Sequence, residues 1–471
     1  MKTKLGGSMN IFKRNGTTSL SGLAKATVST LAVTMLMAVS HPVFATTIEQ
    51  SIEAAIGQSQ KLEAERQKYI SIRQSLGLAT ASNDLQANLV INGSNTSTDR
   101  NNSTTSATRT TATISLSKQI YDSGETEASL ASARNSISSA EANFSSVEQQ
   151  LIFEVISAHL SVITSTEQFD IQKTNAKRLQ AHTQAARIRL ENGSSTPTRV
   201  AEAEARLARA QSDLIEAEAS LASAKDEFTS LTGLPAENLS RPNMPVNLPE
   251  SLSDAEKKAR IQHPSIIAAE LAVKAASNEF EVLKRSVLPK VKLSLSYAQT
   301  KEDTSSNDKN ELSSSVELRT PFLVTNAVKA KDKELAAKSK QMKFRRDDAV
   351  RTTALGVRTA YRSYRASIAQ QKAVKLEYQA AKLVDEGTAS EVEFGMKTFL
   401  DQLDSEKALL DASLRVLTTD QAVQRSAYQL LLAMGELTTE RLALELNFLP
   451  LDLISDPESR YTLPVPITRG E

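Results

Sequence analysis

The chain carries one plan of sequence twice, and this internal duplication constrains its fold more than any other feature. Residues 48–233 and 252–435 each read as a helix, two alternating strands, a very long helix, a turn and a return helix. Val155 and Val357, for example, lie 202 positions apart. Each copy supplies only two strands, so neither copy can enclose a space by itself.

The duplication divides the chain into five segments. Residues 46–233 and 252–435 form the two repeats, joined by a linker at 234–251 and followed by a tail at 436–471. The tail contains several prolines without clear periodicity, so we expect either a strap on the helices or partial disorder. Residues 1–45 precede the first repeat and show a different pattern.

Residues 1–45 are typical of an export signal peptide. A basic start, with Lys2 and Lys4, precedes an apolar stretch from Ala26 to Val39, and Ala45 ends a cleavage-type motif. The alternative is an uncleaved anchor, but the apolar stretch is shorter than the roughly 20 residues of a membrane span. The positive charges of this segment outnumber the chain's net charge of +1, so the rest of the chain carries a small net negative charge. Such a charge gives no bias toward nucleic acid.

Four segments alternate apolar and polar residues with a period of two, which predicts strands near 85–93, 110–119, 290–299 and 312–320. One face is apolar, and the other consists mostly of Ser, Thr, Asn and Gln. A half-buried sheet in a soluble domain is the alternative, but strands of about 10 residues with a polar second face suit a membrane barrel. The predicted lipid-facing residues are Leu85, Leu89, Ile91, Ile114, Leu116, Leu293, Leu295, Val316 and Leu318.

Four strands cannot close a barrel, and open sheet edges are not tolerated in lipid. If the strands lie in a membrane, the chain must therefore combine with other copies of itself. The polar stretches at 94–108 and 300–310 are typical of exposed loops between the strands.

The helical segments are too long for a compact domain. Residues 125–192 contain neither Pro nor Gly, which predicts a helix of roughly 100 Å. Its counterpart is predicted at 327–386, and the return helices at 197–232 and 390–434. Heptad spacing along the return helices indicates coiled-coil seams. In the second seam Glu406 and Ser413 replace apolar residues, which indicates either a wet interior or looser packing.

Each long helix is predicted to end at a glycine followed three residues later by a helix N-cap. Gly193 and Thr196 fulfil these roles in the first copy. Gly387 and Ser390 are their predicted equivalents in the second. The two predicted turns form the tips of two helical hairpins.

Four short motifs, two in each copy, are His263-Pro264-Ser-Ile266, Leu288-Pro289, Tyr121-Asp-Ser-Gly124 and Leu231-Thr-Gly233. Together with the repeated order of elements and the predicted tips, they resemble those of the TolC-type outer-membrane efflux protein family. The resemblance implies a mainly α-helical homotrimer with a 12-stranded β-barrel continued by an α-helical coiled-coil barrel. It also implies an outer-membrane location, a periplasmic adaptor at the hairpin tips and an inner-membrane pump or transporter. Because the chain has no cysteine, it resembles the unlipidated branch that includes TolC.

The same resemblance implies a constriction at the periplasmic tips, where acidic side chains on the second return helix form a ring. Glu393 and Met396 occupy the two matching positions, with Glu391 beside them. The alternative for Glu393 is a solvated carboxylate at a helix start. Arg199 takes the acidic position of the first copy, where it is either a gate latch pairing with Glu391 or Glu393 or a surface residue.

The sequence thus favours an exit duct that passively conducts drugs, detergents or secreted proteins. A periplasmic coiled-coil adaptor or scaffold is the alternative. Catalysis, metal binding and cofactors are not expected, because His159, His182 and His263 are scattered and fit no catalytic motif. Each of these histidines is expected at a helix surface or a helix cap.

Overall fold

A computed structural model describes residues 46–100, 103–303 and 308–442 of the chain. The predicted signal peptide lies outside the described residues, as does the tail beyond residue 442. The first described residue, Thr46, is also the first residue of the first copy.

The two copies follow the same order of elements, except that one helix before the strands of the second copy takes the place of two helices and a 3₁₀ turn in the first. The first comprises α1 (Ile48–Gln58), α2 (Gln60–Arg73), α3 (Ser75–Thr80), a 3₁₀ turn (Ala81–Asn83), β1 (Gln86–Arg100), β2 (Ser103–Tyr121), α4 (Glu125–Glu191) and α5 (Pro197–Thr232). The second comprises α6 (Leu252–Gln262), α7 (Pro264–Ser286), β3 (Lys290–Glu302), β4 (Lys309–Arg319), α8 (Asn326–Glu393) and α9 (Phe399–Met434).

The four strands form one antiparallel sheet in the order β1-β2-β3-β4. The stretch 94–108, predicted as an exposed loop, instead extends β1 and β2 by pairing Ser94 with Arg109 and continuing to the hairpin end. The physical reason is that its Ser, Thr and Asn side chains satisfy one another across the ladder. Ser106 Oγ, for instance, donates to Asn95 Oδ1 at 3.1 Å.

Two fixed offsets relate the copies. Before the strands, α1 begins at Ile48 and α6 at Leu252, which defines a long offset of 204 positions. After the strands, α5 begins at Pro197 and α9 at Phe399, which defines a short offset of 202 positions. The second strand hairpin is therefore two residues shorter than the first.

The strand registers show the same change of offset. Gln86 of β1 pairs with Ser117 of β2, whereas Lys290 of β3 pairs with Arg319 of β4. The first member of each pair follows the long offset and the second follows the short one. Equivalent positions in the two copies can therefore be assigned on both sides of the strand hairpins.

The main hydrophobic core lies where the two copies meet, at the level of α1, α6 and the middle of the long helices. Its fully buried side chains include Ile52, Ile156, Val357, Leu430 and Met434. Burying one such side chain contributes about 2 kcal/mol. The core therefore joins elements of both copies into one unit.

The linker at 234–251 is held by side chains that donate to its backbone carbonyls. His159 Nε2 lies 2.8 Å from the carbonyl oxygen of Ser240. Tyr361, the equivalent of His159 in the second copy, donates to the carbonyl of Glu250 at 2.8 Å. Between these points, Gln424 donates to Pro242, Tyr428 to Asn243, and Arg441 to Val246 and Asn247. Both copies thus bind the segment that joins them.

Candidate functional site

One face of the sheet is apolar across all four strands. All nine residues predicted to face lipid are exposed, from 36% for Leu116 to 68% for Val316. The registers place them beside one another, with Leu89 opposite Ile114 and Leu116 opposite Leu295. The chain thus presents a continuous hydrophobic surface, as the alternation predicts.

The opposite face of the sheet carries rows of small hydroxyl side chains. Ser115 of β2 pairs with Ser296 of β3, which in turn pairs with Ser313 of β4. The hydroxyls of Ser296 and Ser313 lie 2.8 Å apart. This polar face suits contact with water, as the interior of a membrane barrel does.

The first hairpin tip is built as the sequence predicts. Gly193 has a left-handed backbone conformation with φ of 74°. Thr196 caps α5 by accepting a hydrogen bond from the backbone N–H of Arg199. The chain therefore reverses direction within a short turn between α4 and α5.

The prediction for the second tip is wrong. Gly387 and Ser390 lie inside α8, which continues to Glu393, and the left-handed residue is Gly395 with φ of 73°. The N-cap of α9 is Thr398, so the return helix does not begin at 390. This segment contains two glycines, Gly387 and Gly395, that are each followed three residues later by Ser or Thr. Only the short offset between the copies shows that the turn lies at Gly395 and that Gly387 is helical.

This shift moves the predicted gate residues off the return helix. Glu391 and Glu393 belong to the last turn of α8, and Met396 lies in the turn itself, 70% exposed. Glu391 pairs with Lys397 at 2.7 Å rather than with Arg199. Within the described chain, Arg199 takes part in no ion pair.

The acidic residues that open the second return helix are Asp401 and Asp404, neither of which the sequence motifs identify. Asp401 corresponds to Arg199 by the short offset. Its carboxylate accepts hydrogen bonds from the side chain and backbone N–H of Thr398, and these hold the pKa of Asp401 below its usual value. Asp404 lies about one turn further along α9.

Asp404 links the two hairpins. Its Oδ1 accepts a hydrogen bond from Arg206 of α5 at 2.7 Å, so an arginine of the first return helix pairs with the second. Both side chains remain partly exposed. Such a pair contributes at most about 1 kcal/mol by itself, but it fixes which faces of the two hairpins meet.

A more buried contact lies next to this pair. Glu406 is 8% exposed, and its Oε1 lies 3.2 Å from Nε2 of His182 on α4. Its Oε2 lies 3.7 Å from Nε of Arg178, and Gln402 donates to Oε1. Burial raises the pKa of Glu406, but the hydrogen bond and charge of His182 and the charge of Arg178 outweigh it, so the pKa lies below its usual value.

This contact decides between the two interpretations left open for Glu406. The side chain neither lines a wet interior nor marks loose packing, since it is enclosed where α9 meets α4. Sequence periodicity identifies its unusual position but not its charged partners, His182 and Arg178, which belong to the other copy.

The remaining histidines serve structural roles. His263 caps α7, as expected, by accepting from the backbone N–H of Ser265. His159 is fully buried rather than at a helix surface or cap, with Nδ1 3.1 Å from Ser51 Oγ. Burial lowers the pKa of both imidazoles. In the part of the chain that the structure describes, no group of three or more acidic or histidine side chains is placed to hold a metal ion.

A protein-family model described as "Outer membrane efflux protein" matches residues 51–234 and 256–436, which together form most of the chain. The chain belongs to the outer membrane efflux protein family. This efflux protein is therefore an exit duct of the outer membrane that extends into the periplasm.

Known proteins agree with this assignment in sequence and in fold. The efflux protein is 26% identical over 341 residues to the outer membrane efflux protein BepC of Brucella suis, covering 72% of this chain and 75% of BepC. It is 24% identical over 279 residues to the alkaline protease secretion protein AprF of Pseudomonas aeruginosa, covering 57% and 58%. A crystal structure of CusC superposes with a TM-score of 0.73 at 17% identity, covering 82% of this chain and 92% of CusC, and shows the shared fold.

No helix among the described residues is both long and apolar enough to cross a bilayer.

Proposed function

We propose that three copies of this efflux protein form the exit duct of a tripartite export machine. Twelve strands close the barrel in the outer membrane, and the helices continue it as a tunnel through the periplasm. A periplasmic adaptor and an inner-membrane pump or transporter complete the machine and supply its energy. The duct itself conducts passively.

The observation that carries this proposal is the apolar sheet face combined with two open edges. Within one chain, β1 and β4 each pair on one side only. An edge strand in lipid leaves unpaired backbone groups that cost several kcal/mol each. Further copies of the chain satisfy these groups, and three copies supply a barrel of twelve strands, within the known range.

The adaptor docks, in this proposal, at the two hairpin tips. Gly193 with Thr196 and Gly395 with Thr398 build tips of the same geometry, with φ values of 74° and 73° at the glycines. An adaptor can therefore use one binding mode at both tips of each copy.

The constriction of the closed duct lies, in this proposal, at the start of α9. Carboxylates of Asp401 and Asp404 from three copies, close to a threefold axis, would repel one another and attract cations. Glu391, Glu393 and Met396 remain predicted contributors from the end of α8 and the turn.

Conductance and extraction test the proposal together. Purified protein is expected to form channels in planar bilayers, and removing Asp401 and Asp404 by alanine substitution should reduce cation selectivity. Membranes washed with carbonate should retain the protein until detergent is added. Release by carbonate, together with absence of channels, would instead favour the periplasmic scaffold.

Cargo requires a separate experiment, because BepC is named for efflux and AprF for secretion of a protease. A deletion strain is expected to become sensitive to drugs and detergents if small molecules are the cargo. Loss of particular proteins from the culture medium, with unchanged drug sensitivity, would identify secretion.

A further inference from the structure

We propose that a cavity between the two helical hairpins binds a small neutral molecule in which an apolar ring carries a carboxamide group. Helices α4 and α5 of the first hairpin and α9 of the second line this cavity, which has a volume of about 120 Å³. An engineered cavity of roughly 150 Å³ binds benzene, so one ring fits. Asp401 and Asp404 do not line the cavity, and residues of a single chain build it, so the inference stands apart from the proposed constriction and trimer.

Two buried amides on α4 form the polar wall of the cavity. Gln172 and Asn175 lie about one turn apart and are 6% and 8% exposed. Among the described residues, neither amide has a hydrogen-bond partner, and Oε1 of Gln172 is fully enclosed. A half turn about the last side-chain bond exchanges the nitrogen and oxygen of an amide, so each can present a donor or an acceptor. Buried polar groups without partners cost stability, so a ligand that pairs with them binds favourably.

The second copy shows that the shared fold does not require these amides. By the short offset, Gln172 corresponds to Val374, which is buried and apolar. Asn175 corresponds to Glu377, which forms an ion pair with Arg415. The equivalent positions of the second copy thus carry side chains that are satisfied where they lie. The unpartnered amides are therefore particular to the first copy and to its cavity.

The aliphatic part of the wall comes from all three helices. It consists of Leu179, Ala210, Leu403 and Leu410. Removing an apolar ring from water against these side chains is favourable. An entirely apolar ligand would nevertheless leave the two amides without partners, whereas a carboxamide offers them both donors and an acceptor. The wall therefore favours a ring with an amide over a plain hydrocarbon.

The charges around the cavity favour a neutral ligand. Six charged side chains line it, three of each sign, and they are Arg206, Arg209, Lys407, Asp213, Glu406 and Asp411. Arg206 and Lys407 each pair with a carboxylate of α9. Glu406 is already held by the ion pairs described above. A charged ligand would lose its hydration without gaining an unpaired buried counter-ion, and a neutral ligand avoids this cost.

A ligand in this cavity would contact both hairpins. Its amide would pair with side chains of α4, while its ring would pack on Leu403 and Leu410 of α9. Because the ligand binds the two hairpins in their present alignment, binding stabilises that alignment. In the proposed duct, an occupied cavity would therefore lower the open probability.

Binding of benzamide to the detergent-solubilised full chain tests the site, with isothermal titration calorimetry as the measurement. Benzamide should bind at least tenfold more tightly than benzoate, which has the same ring but carries a charge. Gln172→Leu should weaken benzamide binding about tenfold and should raise the unfolding midpoint without ligand, because it removes an unpartnered buried amide. The matched control is Gln180→Leu, the same change at an exposed position of α4, and it should leave benzamide binding unchanged.

Several outcomes would overturn the proposal. Equal affinity for benzamide and benzoate, or no binding of either by the unaltered protein, would leave the cavity to water. Benzamide binding that Gln172→Leu does not weaken would place the ligand elsewhere, and Asn175→Leu provides the same test if the Gln172 variant fails to fold. In planar bilayers, benzamide should lower the open probability. Binding without this effect would overturn the coupling to the hairpins, and absence of channels would overturn the duct instead.

Discussion

Glu406 is a carboxylate held almost out of water between the two hairpins. Removing an ion from water costs several kcal/mol, and the nearby His182 and Arg178 offset this for Glu406. The contact therefore contributes little net stability compared with an apolar one, yet breaking it leaves buried charge unpaired. This makes the contact specific, because only one alignment of the hairpins satisfies it.

We expect Arg178→Ala to destabilise this alignment of the two hairpins by about 1–3 kcal/mol, since it leaves the Glu406 carboxylate with less compensation. The measurable result is an increased open probability in planar bilayers and a lower unfolding midpoint. Arg199→Ala, which removes an exposed arginine near the first tip, serves as the control. Equal effects of the two substitutions would contradict the role of this contact.

His159 makes stability depend on pH. Burial lowers its pKa in the folded protein, so the unfolded chain binds the proton more readily. The contribution of neutral His159 is therefore present above the ordinary histidine pKa of about 6.5 and is lost as pH falls toward the folded value. We expect denaturant midpoints of the detergent-solubilised protein to fall as the pH is lowered from about one unit above this ordinary pKa to about one unit below it.

His159→Gln should reduce this pH dependence, because glutamine does not titrate and can still donate to Ser240. His263 has the same direction of shift, so the dependence should diminish rather than vanish. An unchanged slope in the His159 variant would show that other groups cause it.

At the scale of elements, the hairpin turns depend on one left-handed glycine each. Gly395 adopts φ of 73°, and no heavy atom lies within 4 Å of the place that a Cβ would take. A substitution there is therefore disfavoured only by the left-handed backbone conformation and not by a clash with neighbouring atoms. Gly387 has equal space around it but lies within α8. The two glycines therefore form a matched pair that differs only in backbone conformation.

Gly395→Ala should destabilise the protein by about 1 kcal/mol, whereas Gly387→Ala should stabilise it by roughly 0.5–1 kcal/mol, because alanine is the better helix former. Thermal unfolding in detergent measures both. If the two substitutions changed stability in the same direction, the turn would not lie at Gly395.

The elements also show which parts of the fold the sequence predicts and which parts it does not. Period-two alternation predicts all four strands and their apolar face, since burial and membrane exposure both follow that period. The pattern does not predict that residues 94–108 belong to the strands, because a polar composition is compatible both with a loop and with a strand that is polar on both faces. The first tip is predicted and the second is not, since local capping signals recur inside a helix. The contacts of Glu406 and His159 join residues far apart in the chain, which no local pattern reveals.

At the scale of the whole molecule, the sheet presents an apolar and a polar surface on the two sides of one layer of backbone. Ile114 lies on the apolar face of β2, and its neighbour Ser115 lies on the polar face. The two positions share a strand and differ in the side to which they point.

Ile114→Arg should therefore cost about 2–4 kcal/mol if the residue lies near the middle of the bilayer, and it should reduce the amount of protein in the outer-membrane fraction. Ser115→Arg should be tolerated there and should instead change ion selectivity in planar bilayers. Fractionation followed by conductance measures the contrast. Equal losses from the membrane would argue against a lipid-facing Ile114.

The linker between the copies is bound largely through its carbonyl oxygens, which any residue supplies. Substitutions of its exposed side chains should therefore have little consequence, whereas adding or deleting a single residue would move the carbonyls that follow away from their donors. Related ducts should accordingly vary at the exposed positions of this segment while keeping its length.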